Sequence, residues 1–125
     1  MRVVDTSAWI EWLVDSPTGA VVRAEVPSAD ELVVPSIVQL ELAKWMMREA
    51  PEQVGDVIAV TRECVVVPLD TALALRAAEL GREYRLAAAD SVVYATAVDG
   101  ACDLVTCDAH FEGLPHVVYV PKKTP

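Results

Sequence analysis

Four carboxylates in this chain stand where solubility alone does not call for an acid. Asp5 closes the apolar run RVV, and Asp108 follows the run DLVT by two residues. Glu41 lies in SIVQLELAKWMMRE and Asp90 in AAADSVVYATAVD, both among apolar neighbours. Brought together, such groups form a set of hard oxygen donors. Mg²⁺ and Mn²⁺ prefer these ligands and keep water in several positions. An ion held this way activates water and neutralises charge developing on a phosphoryl oxygen; two ions roughly 4 Å apart clamp the attacking and leaving oxygens.

Each acid also has a plainer role. Asp5 can cap the helix that follows it, although Thr6 or Ser7 could cap instead. Glu41 shares a polar stripe with Lys44 and Arg48. A solvated Glu41–Lys44 pair there contributes only ~0.3 kcal/mol; alternatively the stripe lines a groove. Asp90 is flanked at helical spacing by Ala87, Val93, Tyr94 and Ala97, so its carboxylate needs a partner or a metal. It is a cap if the helix starts at Ser91. The strong helix formers Ala87 to Ala89 place it inside the first turn, where the helix dipole favours a negative charge. Asp108 fits a turn, and the nearby His110 is either a general base or a solvated side chain. Asp70 and Asp99 read as a cap and a helix end, and Asp103 as the start of a strand. Glu11, Asp15, Glu25, Glu79 and Glu83 read as surface charge.

The elements that must position these groups alternate. Short strands are expected at residues 2–5, 32–34, 64–67, 103–106 and 117–120. Helices are expected at 7–14, at 19–26 before Pro27, and from Pro35-Ser36 to about Glu49, where Ser36 and Gln39 fit a capping box. Others follow from Pro51 to about Arg62, at 71–84 capped by Asp70 and weakened by Gly81, and at 87–99 with Gly100 as the C-cap. The tail 121–125 reads as frayed. Strand–helix alternation predicts a parallel sheet covered on both faces, a three-layer α/β/α domain spanning residues 1–125. In such sheets ligands bind beyond the carboxyl ends of the strands. Asp5 and Asp108 meet there if the first and fourth strands are neighbours.

Composition narrows the class. The chain has 125 residues, 54% of them hydrophobic, and a net charge of −9. No apolar run approaches the ~20 residues of a membrane span. The start carries no signal peptide, so a cytoplasmic location is expected. Three cysteines without C-x-x-C spacing read as reduced, buried thiols, and with two histidines a zinc site is not expected. A net negative charge opposes nucleic-acid binding. Divalent cations held by the acids answer that objection.

The segments VVDTSAWIEW, SIVQLELAKW with Glu41, AAADSVVYATA with Asp90, and TCDAHF together resemble the PIN-domain ribonucleases, most closely the VapC toxins of bacterial VapBC toxin–antitoxin pairs. The resemblance covers nearly the whole chain. It implies strand order 3-2-1-4-5. It implies that Asp5, Glu41, Asp90 and Asp108 bind one or two Mg²⁺ or Mn²⁺ ions, Asp5 and Asp90 most directly, with Thr6 or Ser7 and Thr106 as supporting hydroxyls. The implied reaction is endonucleolytic hydrolysis of RNA, often transfer or ribosomal RNA, leaving 5′-phosphate and 3′-hydroxyl ends. The implied partners are a VapB-type antitoxin laid across the acidic groove and a second copy of the chain. One departure stands out: many relatives carry a further acid where this chain has His110. Basic residues that could meet RNA are Lys44, Arg48, Arg82, Arg85 and the Lys122-Lys123 pair.

Two other functions compete. A phosphatase could use Asp5 as nucleophile, but the position two residues on is Ser7 rather than a second acid. A non-catalytic module could dock a partner through Trp12, Trp45, Met46 and Met47, with the acids as caps and surface charge.

Overall fold

The computed structural model describes residues 1–123. Five strands form one sheet: β1 (Arg2–Val4), β2 (Leu32–Pro35), β3 (Val65–Val67), β4 (Asp103–Thr106) and β5 (Val117–Tyr119). Their order is β3-β2-β1-β4-β5 and all four pairings are parallel. Between and beside them run α1 (Thr6–Leu13), α2 (Pro17–Glu25), α3 (Ser36–Glu49), α4 (Val54–Arg62), α5 (Thr71–Tyr84) and α6 (Ala88–Asp99). The α/β class expected from the sequence and the order 3-2-1-4-5 implied by the resemblance are both present.

The central strands are buried at consecutive positions. Val3, Val4, Val33, Val34, Leu104 and Val105 are all within the core. Alternate residues of a strand point to opposite faces, so both faces of the sheet are covered. Each such aliphatic side chain contributes roughly 1.5–3 kcal/mol on burial. The edge strand β3 is less protected, and Val65 and Val66 remain exposed. Larger side chains tie the helices in. Tyr94 of α6 meets Tyr84 of α5 edge to face at 5.5 Å and lies 6.3 Å from Phe111. Its hydroxyl donates to the Pro115 carbonyl at 2.8 Å, linking α6 to the loop before β5.

Several local expectations change. Helix α2 begins at Pro17, because the Ser16 hydroxyl accepts the Gly19 N–H at 2.9 Å and caps it. Gly19 lets α2 lie against α1: a Cβ there would sit 2.1 Å from the Glu11 carbonyl oxygen. Ser36 and Gln39 form no capping box. The Ser36 hydroxyl accepts the Leu69 N–H at 3.2 Å, and the Gln39 amide donates to Thr61 at 3.2 Å. The segment after Pro51 opens with a 3₁₀ turn, Pro51–Gln53, before α4. Gly100 is the C-cap of α6 as expected, with φ −86°, and the left-handed conformation falls on Ala101 after it. The tail is not frayed through residue 123: the Lys123 N–H donates to the Thr18 hydroxyl at 2.7 Å. The expectation for residues 124 and 125 lies outside the described residues. Among the four residues expected to dock a partner, Met46 is buried, Trp12 and Trp45 are half-buried, and only Met47 is exposed. Trp12 packs on Trp9 with ring centroids 5.1 Å apart.

The three cysteines are unpaired, with Cys102 and Cys107 buried and Cys64 half-buried. No described helix is long and apolar enough to cross a membrane.

Candidate active site

The order of the sheet sets where the site can be. From β1 the chain moves outward to β2 and β3; β4 and β5 then fill the other side. The reversal point lies between β1 and β4, at their carboxyl ends, where a parallel sheet opens a crevice. Asp5 stands there, held on the ladder by its N–H, which donates to the Val105 carbonyl at 2.9 Å.

Its side chain is 5% exposed, yet it makes no capping bond to α1. The Ser7 and Thr106 hydroxyls both donate to Asp5 Oδ2, each at 2.8 Å. No side-chain donor among the described residues reaches Oδ1. The same hydroxyls are themselves anchored. Ser7 accepts the Cys107 N–H at 3.0 Å, and Thr106 accepts the Asp108 N–H at 3.0 Å. One small network thus fixes Asp5 against the chain leaving β4. Burial pushes the Asp5 carboxyl up to about 6, against the pull of the two hydroxyls, and the charge of Asp90 adds to the rise.

The other acids arrive from the helices. Glu41 lies in the second turn of α3 and accepts the Thr6 hydroxyl at 2.7 Å. The alternative Glu41–Lys44 pair does not form. Asp90 lies in the first turn of α6, as its alanine-rich lead predicts, and Ala87 takes the cap position without a side-chain bond. The neighbouring Ser91 hydroxyl donates to the Ala87 carbonyl at 2.9 Å and stabilises that turn. Gly81 permits the approach of α5: a Cβ would lie 2.3 Å from Ser91 Oγ. The glycine that weakens α5 as a helix therefore positions α6. Burial, followed by the charge of Asp108 and with a smaller contribution from Glu41, raises the Asp90 carboxyl above its ordinary value; His110 opposes the rise. Asp108 turns the chain after β4, its Oδ1 accepting the His110 N–H at 2.9 Å. The His110 ring nitrogen Nδ1 lies 3.1 Å from that oxygen and 3.9 Å from Asp90 Oδ2.

Asp5, Glu41, Asp90 and Asp108 all line one cleft of about 320 Å³, together with Thr6 and Ser7. Sequence reasoning missed one further residue of the cleft. Glu11, assigned to the surface, lines the cleft as well, one helical turn beyond Ser7 on α1. Its spacing of four from Ser7 was the available signal. Lys122, one of the basic candidates although expected in a frayed tail, is the only cation lining the cleft among the described residues. The other basic candidates lie elsewhere. Lys44 is exposed, Arg48 pairs with Glu49 at 3.0 Å, Arg82 borders a separate cavity beside Ser91, and Arg85 ends α5 in a left-handed conformation.

Five carboxylates and one lysine make this crevice strongly negative. Carboxylates clustered in a part-buried cleft are costly unless a cation neutralises them. The donor set, almost entirely carboxylate oxygen in a partly open cleft, suits a hard divalent ion. The residues present therefore fit a metal centre.

Fold and site define an α/β domain with an acidic crevice at its topological switch point. The PIN-domain family model matches residues 2–117, and the chain belongs to that family. Membership supports a hydrolase of the nuclease class. No curated protein matches the sequence significantly. Among solved structures the chain is similar to a toxin–antitoxin complex from Klebsiella pneumoniae, with TM-score 0.86 and 19% identity over 98% of this chain and 100% of that one. It is also similar to a sarcin-ricin-loop-cleaving VapC toxin from Mycobacterium tuberculosis (TM-score 0.71, 16% identity, 92% and 95% covered). A DNA-bound VapBC from Salmonella typhimurium matches with TM-score 0.71 and 18% identity, covering 95% and 97%. At these identities the likeness is one of fold.

Proposed function

We propose that this protein is a VapC-type toxin, a Mg²⁺- or Mn²⁺-dependent endoribonuclease of a toxin–antitoxin pair. The observation that carries the reading is the convergence of Asp5, Glu41, Asp90 and Asp108 in one cleft. The named functions of the fold relatives add support: one cleaves the sarcin-ricin loop, and the others are toxin–antitoxin assemblies.

A divalent ion bound in the cleft supplies Lewis acidity toward a phosphodiester and lowers the pKa of water beside it. Asp5 and Asp90 would hold such an ion most directly; Asp108 and Glu41 would hold a second, shared with Asp90, or orient water. Ser7 and Thr106 keep Asp5 in place, as Thr6 does Glu41. Lys122 faces the phosphate and offsets its charge. The substrate is RNA, of the transfer or ribosomal class, and hydrolysis is in line at phosphorus. A VapB-type antitoxin inhibits by covering the cleft, and the active species is a homodimer in the cytoplasm. The phosphatase alternative loses ground because Ser7 donates to Asp5 instead of supplying an acid. The binding-module alternative gives no reason for acids from four separate elements to meet.

Brief expression followed by sequencing of cut ends in total RNA tests the reading, beside an Asp5→Ala control. Cuts at defined sites in the unmodified protein alone are expected. Turnover of a small phosphate ester with Mg²⁺, but no RNA cleavage, overturns it.

A further inference from the structure

Resting on that metal-centre reading, we infer that His110 is a nitrogen ligand of the ion held between Asp90 and Asp108, and that the centre favours Mn²⁺ over Mg²⁺.

The geometry is that of a shared coordination sphere. One donor atom each from Asp90, Asp108 and His110 lie within 4.8 Å of one another. Ligands about 2.1–2.2 Å from a single ion are separated by roughly 3 Å when adjacent and about 4.3 Å when opposite. The 3.1 Å from His110 Nδ1 to Asp108 Oδ1 and the 3.9 Å to Asp90 Oδ2 fall within that span. No hydrogen bond from the ring nitrogen to either carboxylate accompanies these approaches among the described residues. The backbone holds the arrangement, since Asp108 Oδ1 accepts the His110 N–H and places the imidazole over its own carboxylate. The His110 side chain is 78% exposed and lies beside Asp108 and Asp90 of the cleft, so an ion reaches it without rearrangement of the core. Asp5 lines the same crevice, with both hydroxyls on Oδ2 and no side-chain donor on Oδ1 among the described residues.

Ligand chemistry sets the preference. Both ions take carboxylate oxygen, but Mg²⁺ dehydrates reluctantly and takes nitrogen poorly, whereas Mn²⁺, although oxygen-preferring, belongs to the first-row transition series whose members accept imidazole nitrogen. Replacing one oxygen donor by nitrogen therefore moves selectivity toward Mn²⁺. The second histidine cannot supply that nitrogen. His116 lies 4.0 Å from Asp103, at the amino end of β4 and the opposite edge of the sheet. The chain has two histidines in all, so a nitrogen signal from imidazole at the centre belongs to His110.

The test loads the full chain with Mn²⁺ and reads pulsed electron paramagnetic resonance for coupling to ¹⁴N, in the unmodified protein and in His110→Gln. Calorimetry measures the Mn²⁺ to Mg²⁺ affinity ratio in both. The expected result is imidazole ¹⁴N coupling that disappears in His110→Gln, with Mn²⁺ affinity falling by roughly tenfold or more, and by more than Mg²⁺ affinity, so that the ratio drops. Mn²⁺ binding that is lost in Asp90→Asn but shows no ¹⁴N coupling overturns the role of His110 and leaves the acidic centre standing. Mn²⁺ binding that is absent, or unaffected by Asp90→Asn, overturns the metal centre itself and this inference with it. Circular dichroism of each variant confirms the fold.

Discussion

Asp5 and Asp70 occupy equivalent places in the chain. Each follows a strand and precedes a helix, Asp5 between β1 and α1, Asp70 between β3 and α5. Both have extended backbone at the N-cap position. Asp70 does what that position allows: its Oδ1 accepts the Leu73 N–H at 2.8 Å, in solvent. Asp5 makes no such bond, is buried, and receives two hydroxyls instead. The difference comes from the neighbours. β3 is an edge strand, with only β2 beside it, so Asp70 meets water and its own helix. β1 is central, and the end of β4 brings Thr106 and Asp108 up to Asp5. The same residue in the same local setting is a cap at the edge of the sheet and part of a crevice at its centre.

The contrast is sharpest in the pH dependence of stability. In the metal-free protein the Asp5 carboxyl titrates near 6 when folded, against an ordinary value of 3.8. A raised value means the folded state binds the proton more tightly than the unfolded one. The contribution of Asp5 to stability is therefore fully present below about pH 4 and is lost as pH rises through 6, by about 3 kcal/mol for a shift of roughly two pH units. Asp5→Asn should remove most of that loss in denaturant titrations; an unchanged slope would break the distinction drawn for Asp5. A smaller effect is expected at its support. Thr106→Val removes a donor to Asp5 and the acceptor for the Asp108 N–H, and should weaken Mn²⁺ binding by about 10–100-fold in calorimetry. Equal affinity would mean that the hydroxyl network is only structural. The smallest effect belongs to the edge. Asp70→Ala should lower stability by about 1 kcal/mol, the usual loss for a cap, while RNA cleavage and metal affinity stay as they were. A loss of cleavage there would join the two regions that the structure separates.

What could be read from the residues divides along similar lines. The helix 71–84 and its Asp70 cap were legible because a cap, its helix and the strand before it lie within a few residues. Asp90 was placed in the first turn of α6 from three preceding alanines. The capping box at Ser36 failed because both side chains had partners further along the chain, Leu69 N–H and Thr61. Gly81 looked like a weakness of α5 until the packing of Ser91 against it gave the reason. Glu11 was missed as a lining residue, and Lys122 was expected only in a frayed tail, for a related cause. Nothing local distinguishes an acid on α1, or a lysine past the last strand, from ordinary solvated charge. Lys122 is brought to the cleft by a tail secured through the Lys123–Thr18 hydrogen bond.

The sequence by itself determined the alternation of strands and helices, the apolar centre of the sheet, the first-turn position of Asp90 and the identity of four candidate acids, because periodicity, caps and propensities act over a few residues. Only the tertiary structure decided that those acids share a crevice, which hydroxyls hold them, and that Glu11 and Lys122 line it, with His110 beside Asp108 and Asp90. Thr106 and Asp5, bonded at 2.8 Å, are 101 residues apart in sequence. Their meeting depends on β4 pairing with β1, an outcome of burying the whole apolar sheet that no short stretch of residues specifies.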